Sequence, residues 1–287
     1  MSMLLEVSNL NKKFEGFSLN DVSFSLEGGY IMGFIGENGA GKTTTLRAIL
    51  NIIVKDSGSI KVFGLDHIQN EKQIKDRVGF ISDEKIFYED ITVKAMKNII
   101  APFYSRWDDQ LFNDYVERFG LPLNKKIKTL SQGTYKKFAL AVALSHKPEL
   151  LILDEPTANL DPVFRTEFLD VLHDFVADEQ HAVLFSSHIT SDLDKIADYV
   201  TLIHKGSLLF SQSKEDLFDE CILIKGGVEL AQDFRNKGLL GVQSNSYGSS
   251  GLCRSKKLAE QFQSQGCIVE HPTIEDIMVY TVREGRK

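Results

Sequence analysis

The sequence predicts a mixed α/β fold built on a mostly parallel sheet with helices on both faces. Three observations carry that expectation. Short apolar strand patterns alternate with helical patterns through the middle of the chain, the order that parallel strands joined by crossover helices require. A glycine-rich loop, Gly36-Glu-Asn-Gly-Ala-Gly-Lys-Thr43, separates an apolar run from a helical one. A second apolar run, Leu150-Leu-Ile-Leu153, ends directly in the carboxylate pair Asp154 and Glu155.

The elements follow in order. Met3 to Val7 and Val22 to Leu26 alternate apolar and polar residues between polar turns, as half-buried strands of an N-terminal antiparallel part do. Tyr30 to Ile35 is the apolar strand before the loop, and Lys42 to Asn51 reads as the helix after it. From Asp90 to Phe119 the pattern turns helical, with Leu111, Tyr115 and Phe119 at spacing four and Phe112 and Val116 beside them. This marks a helical subdomain, about residues 85–140, inserted between two β-containing halves. Trp107, just before that helix, reads as a packing aromatic. Gly133 to His146 is helical and Leu150 to Leu153 a buried strand. Arg165 to Phe175, His181 to Phe185, Ser191 to Ala197 and Tyr199 to Ile203 then read as helix, strand, helix and strand.

The alternation stops near Ser213. Leu239 to Arg254 is rich in Gly and Ser with short strand patterns, whereas Lys256 to Phe262 and Thr273 to Val282 look helical. The expected division is therefore a main domain over 1–213 and a small α+β appendage over 214–287. The appendage is open to four readings: a structural cap, a regulator, a dimer brace or a ligand-binding unit. No internal repeat is evident.

The 287 residues, 43% hydrophobic and 25% charged, are those of an ordinary globular chain. No apolar run approaches the roughly 18–20 residues that cross a bilayer. The N-terminus lacks the basic-then-apolar order of a secretory signal. The expected location is cytoplasmic. A formal net charge of −7 argues against a surface built to hold nucleic acid. Cys221, Cys253 and Cys267 lie without CxxC spacing, which favours reduced structural thiols over disulfides or zinc.

The loop matches G-x-x-x-x-G-K-[ST], which average composition would produce by accident in about 1% of chains this long. Gly36, Asn38, Gly39, Ala40, Gly41, Lys42, Thr43 and Thr44 are thus the candidate ATP-binding residues. The glycines let backbone N–H groups close on phosphate oxygens, and the following helix N-terminus adds partial positive charge. Lys42 can reach the β- and γ-phosphates, and Thr43 can ligate Mg²⁺. At the end of the second run, Asp154 is placed to meet Mg²⁺ and Glu155 to activate a water. Alone, that pair could also be a solvated turn; beside a phosphate loop it reads as catalytic.

Three further segments resemble, in family order, the nucleotide-binding subunits of ABC transporters. Leu130-Ser-Gln-Gly-Thr134 is similar to the family signature, Asn159-Leu-Asp161 to its D-loop, and His188 to its switch histidine. The resemblance covers about residues 3–212. It implies a P-loop NTPase core of ABC type that works as a head-to-tail pair, homodimer or heterodimer, with two ATP molecules between the subunits. Ser131 and Gly133 of one subunit would then face the phosphate loop of the other, with Asp161 at the same interface. It also implies that Phe14, in Lys12-Lys-Phe-Glu-Gly16, stacks on adenine, although a packed strand-end aromatic fits that position too. His188 would contact the γ-phosphate and hold Glu155 in register, so that Glu155, His188 and Lys42 form the implied catalytic set.

Two departures stand out. Asp83, in Val78-Gly-Phe-Ile-Ser-Asp83, occupies the usual glutamine position. A carboxylate can approach Mg²⁺ but cannot donate an amide hydrogen bond, which predicts slower or pH-shifted turnover. Gln132 and Thr134 replace the usual Gly and Gln of the signature, while Ser131 and Gly133 are kept.

Among ABC proteins the chain is similar to single-domain bacterial subunits of ABC-2-type exporters. Gly41-Lys-Thr-Thr-Thr45, Ser186-Ser-His188 and Thr273-Ile-Glu-Asp-Ile-Met278 carry that likeness. The group includes exporters linked to antimicrobial-peptide resistance and cell-envelope stress. The implied partner is an integral membrane permease on a separate chain, which would hold this subunit peripherally on the inner face of the cell membrane. The coupling surface is expected near Ile86-Phe-Tyr88 and the helical insertion, where the alternative is an internally packed loop. A soluble ABC ATPase with a non-permease partner, an assembly or repair factor, is the competing reading. A P-loop kinase would leave the signature, Asp161 and His188 unexplained.

Overall fold

The computed structural model describes residues 2–284; Met1 and positions 285–287, the end of the expected appendage, lie outside the described residues. A six-stranded sheet forms the centre, in the order Ser207–Ser213, Tyr199–His204, Ile31–Ile35, Ala182–Ser187, Leu150–Asp154 and Val78–Ile81. All neighbours run parallel except Ser207–Ser213, which joins the edge antiparallel to Tyr199–His204.

Alternation along each central strand feeds two different cores. Leu150, Ile152, Leu184 and Met32 face one side, where helix Lys42–Ile49 lies beneath an antiparallel sheet. That sheet is ordered Phe17–Glu27, Met3–Phe14, Ser57–Val62 and Leu65–Asp66. Leu151, Leu153, Val183 and Phe185 face the other side, against helices Gln132–Ser145, Pro162–Val176 and Thr190–Ile196. This is why Leu150-Leu-Ile-Leu153 is continuously apolar: both faces are covered.

The N-terminal strands are longer than their sequence pattern implies. Met3–Phe14 pairs with Phe17–Glu27 through register shifts around Asn9, whose φ is 51°, and these interrupt the alternation that would have marked one long strand. The insertion holds helices Val93–Ile100 and Asp109–Phe119. Its buried face centres on Phe112 and Phe119 rather than on Leu111, which is half-buried. Trp107 packs on Phe112 and donates from Nε1 to Asp109 at 2.8 Å.

The C-terminal residues build a four-stranded antiparallel sheet, ordered Leu240–Asn245, Gly248–Cys253, Ile222–Gly226 and Ile268–Glu270. Helices Ala231–Asn236 and Lys256–Ser264 cover one face through Phe234 and Phe262. The last helix, Ile274–Glu284, buries Ile274, Ile277 and Tyr280 in the same core as the main sheet. Asp194, on the helix after His188, accepts from the Ile274 N–H at 3.1 Å. All three cysteines are buried and free.

Candidate active site

The candidate residues gather where the parallel strands end, because each strand hands its chain to a loop at the same edge of the sheet. Strand Ile31–Ile35 delivers the glycine loop, Leu150–Asp154 delivers Glu155, Ala182–Ser187 delivers His188, and Val78–Ile81 leads to Asp83.

The loop's shape depends on glycine at two points. A Cβ on Gly36 would stand 2.4 Å from the Ile203 carbonyl oxygen. Gly41 has φ 115°, and a Cβ there would meet Leu19 Cδ2 at 2.7 Å. Asn38 and Gly39 are exposed at the loop's tip, Ala40 is buried beneath it, and Thr43 and Thr44 are half-buried in the first helical turn. Lys42 is almost wholly buried, and its ammonium donates to the carbonyls of Gly36 at 2.8 Å and Glu37 at 3.4 Å.

Beside the loop, Asp154 is buried with each carboxylate oxygen accepting one hydroxyl. Thr43 Oγ1 donates to Oδ2 at 2.8 Å and Ser186 Oγ to Oδ1 at 2.6 Å. The donor set at Thr43 and Asp154 is oxygen only, the kind magnesium takes, and it leaves coordination positions for phosphate and water. These residues fit that ion.

Glu155 sits in the left-handed region, φ 47°, uncommon for a residue with a side chain. Its N–H donates to the Ser186 carbonyl at 3.1 Å, fixing that turn. The carboxylate is gripped from two sides. Lys42 Nζ lies 3.5 Å from Oε1, while Oε2 accepts from the His188 N–H at 3.2 Å and stands 2.7 Å from His188 Nδ1. That last contact places a proton on Nδ1.

A cavity of about 570 Å³ opens over Lys42, Thr43, Thr44, Asp83 and Glu155. A second, of about 510 Å³, adjoins it through Gly16, Phe17 and Gly39 and is lined by Phe14 and Lys205. Phe14 is 40% exposed at the end of its strand, roughly stacked on Phe17 with ring centres 6.5 Å apart.

Ser131, Gly133 and Asp161 stand apart from these cavities. Ser131 is exposed, and its Oγ caps its own helix by accepting from the Thr134 N–H at 3.2 Å. Asp161 likewise caps helix Pro162–Val176, accepting from Val163 and Phe164 N–H groups. The sequence reading therefore names two groups that the single chain keeps separate.

It also missed residues. Phe17 carries no motif of its own, and Ser186, though part of the quoted Ser186-Ser-His188 segment, was given no role at Asp154. Lys136 is buried one turn into the helix that Ser131 caps, and donates to the carbonyls of Ser82 at 3.1 Å and Glu155 at 3.3 Å. Burial pushes its pKa down, opposed by the carboxylates of Asp83, Asp154 and Glu155. A lysine in a helical run looks like surface, so its inward direction is visible only in three dimensions.

Comparison with known proteins gives the family. The ABC transporter family model matches residues 19–158. The ABC transporter ATP-binding protein YtrB of Bacillus subtilis (strain 168) is 32% identical over 223 residues, covering 77% of this chain and 76% of that one. The bacitracin transport ATP-binding protein BcrA of Bacillus licheniformis is 35% identical over 212 residues, 73% of this chain and 69% of its own. Among solved structures, an ATP-binding subunit of an ABC transporter superposes with a TM-score of 0.69 at 25% identity, covering 75% of this chain and 91% of that chain. The cbiO1 protein of Clostridium perfringens shares the fold, with a TM-score of 0.64 at 20% identity over 83% of this chain and 96% of its own. A phosphate loop wired to a strand-end carboxylate pair, on a chain of this ancestry, makes the protein an ATP-binding ATPase that belongs to the ABC transporter family of ATP-binding subunits.

Proposed function

We propose that this ATPase powers a separately encoded membrane permease of the ABC-2 exporter type, by closing against a second nucleotide-binding subunit when ATP binds. The observation that carries the reading is the grip on Glu155, held between Lys42 and His188 beside the Thr43–Asp154–Ser186 chain. A carboxylate held this way is oriented to take a proton from a water attacking the γ-phosphate. Lys42 turns from the Gly36 carbonyl toward the phosphates, and the loop N–H groups cradle them. Phe14 and Phe17 offer an aromatic wall for the adenine. Thr43 and Asp154, with Asp83 nearby, would hold Mg²⁺, which neutralises phosphate charge and aligns the γ-phosphate.

The second half of the site comes from across the dimer. Ser131 and the Gly133 N–H lie at the exposed N-terminus of a 14-residue helix, ready to receive a partner's γ-phosphate. Asp161 stands at the same interface. The homodimer is the simplest arrangement, since each chain carries one of each half-site.

For the permease, the exposed side chains of the helical region supply the contact. Ile86 is 54%, Tyr88 67% and Phe103 78% exposed, whereas Phe87 between the first two turns inward onto Tyr135 and Phe138. A cleft of about 660 Å³ beside Phe103 is lined by Asn70, Gln73, Asp76 and Ser105. No helix among the described residues is long and apolar enough to cross a membrane. In the proposed arrangement the subunit sits peripherally on the cytoplasmic side, held by its permease. The relatives named for bacitracin transport support a role in transport.

Affinity isolation from detergent-solubilised membranes tests this. Recovery of one hydrophobic integral membrane protein, lost when Ile86, Tyr88 and Phe103 are changed to Ser, is expected. Recovery of a soluble partner alone, equal with and without detergent, would favour an assembly or repair ATPase.

A further inference from the structure

Three carboxylates converge on the candidate site, Asp83, Asp154 and Glu155, where a triphosphate must also bind. Asp154 and Glu155 each have a partner, Thr43 and Lys42, that faces the same cavity. Asp83, half exposed on the cavity wall, has Lys136 Nζ 3.6 Å from its Oδ1, approaching from behind. That ammonium is 1% exposed and makes its two other contacts to main-chain carbonyls, of Ser82 beside Asp83 and of Glu155 itself. A buried cation bonded only to neutral carbonyls would be costly; a carboxylate beside it offsets that cost.

We infer that Lys136 is a positioning residue for ATP hydrolysis: it neutralises the carboxylate at position 83 and pins the left-handed peptide of Glu155. The acidic residue at 83 and the buried lysine at 136 thus act as a pair, each making the other tolerable. Lys136 lies five residues after Ser131 on one helix, so the same rigid element meets the chain's own Glu155 and presents the signature turn outward. Movement of that helix on closure shifts the Glu155 peptide with it. The inference deepens the proposed function and rests on Glu155 acting at the ATP site.

The test is a double-mutant cycle with Lys136→Met and Asp83→Asn, read in two ways. In nucleotide-free protein, Lys136→Met is expected to lower the melting temperature by about 5 °C, with the double variant losing less than the sum of the two single changes. In steady-state turnover, Lys136→Met is expected to lower kcat about tenfold or more with KM for Mg-ATP within about threefold. Adding Asp83→Asn is then expected to restore part of kcat. Additive melting shifts together with a further fall in kcat would overturn the pair. A coupled melting shift with unchanged kcat would keep the ion pair but remove its role at Glu155. Should Lys136→Met not fold, Lys136→Gln, which keeps a donor for the two carbonyls, takes its place in both measurements.

Discussion

The phosphate-loop region and the signature turn lie in one chain but are built on opposite principles. Around the loop, the charged candidates and the Thr43 hydroxyl already have partners within the chain: Lys42 on Glu155, Glu155 on His188, Thr43 and Ser186 on Asp154. Around the signature turn, Ser131 and Gly133 reach nothing beyond their own helix, and Ser131 only caps it. The first region is preorganised, so that little reordering is left for the moment of reaction. The second, on the proposed function, is a donor surface for a partner subunit. On the proposed function, the difference corresponds to one chemical half-site and one recognition half-site in the chain.

The largest expected effect breaks the preorganised half. Glu155→Gln should lower ATP turnover by about 10²–10⁴-fold while ATP binding, followed by fluorescent-nucleotide titration, is kept. Lys42→Ala should instead weaken ATP binding by about tenfold or more, because a buried cation that would face the phosphates is lost. Retained affinity in that variant would place the phosphates elsewhere.

The recognition half gives a different signature. A Cβ at Gly133 meets nothing within 4 Å, so Gly133→Asp should fold with an unchanged melting temperature. Its carboxylate would repel a partner's phosphate, so turnover should fall about tenfold or more with ATP affinity of the isolated chain unaltered. Mixing Gly133→Asp with Lys42→Ala chains sharpens the contrast. The mixed pair rebuilds one complete site, and activity above that of either variant alone is expected.

The smallest effect concerns the anchor of the signature helix. His146 is buried at its C-terminal end beneath Tyr104, whose ring centre is 3.9 Å away, and burial pushes its pKa below the ordinary histidine value. The folded state therefore prefers the neutral ring, and the unfolded chain binds the extra proton first. That contribution is present above pH about 6.5 and is lost as the pH falls through the lowered folded value. Melting temperatures at pH 7.5 and 5.5 should differ more in the wild type than in His146→Asn. Equal differences would assign the acid sensitivity to other groups.

The preorganised half was more legible in sequence than the recognition half, for a physical reason. Backbone cradling needs glycines at fixed offsets, and a buried strand ending in two acids is a local pattern, so Gly36 to Thr43 and Asp154–Glu155 announce themselves. Ser131, Asp161 and His188 are ordinary residues whose meaning came only from their order along the chain. The bonds of Ser186 to Asp154 and of Lys136 to Glu155 left no trace, since these partners lie 32 and 19 residues away. The same locality explains the fold. The central strands and their helices follow largely from continuous apolar runs, whereas Ser57–Val62, mostly exposed, and the edge strand Ser207–Ser213, mostly half-buried, carry too little alternation to be seen. Ser213 ends the last strand of the six-stranded sheet. Leu217, Ile274 and Tyr280 nevertheless return to the main core.

The most direct test of the two-half account is the mass in solution of Glu155→Gln, with and without Mg-ATP. This variant should bind ATP and stop before hydrolysis, so a closed pair accumulates. A shift from monomer to dimer on adding Mg-ATP, abolished by Gly133→Asp in the same chain, is the predicted result. A Glu155→Gln chain that stays monomeric at saturating Mg-ATP would contradict self-pairing of the two halves.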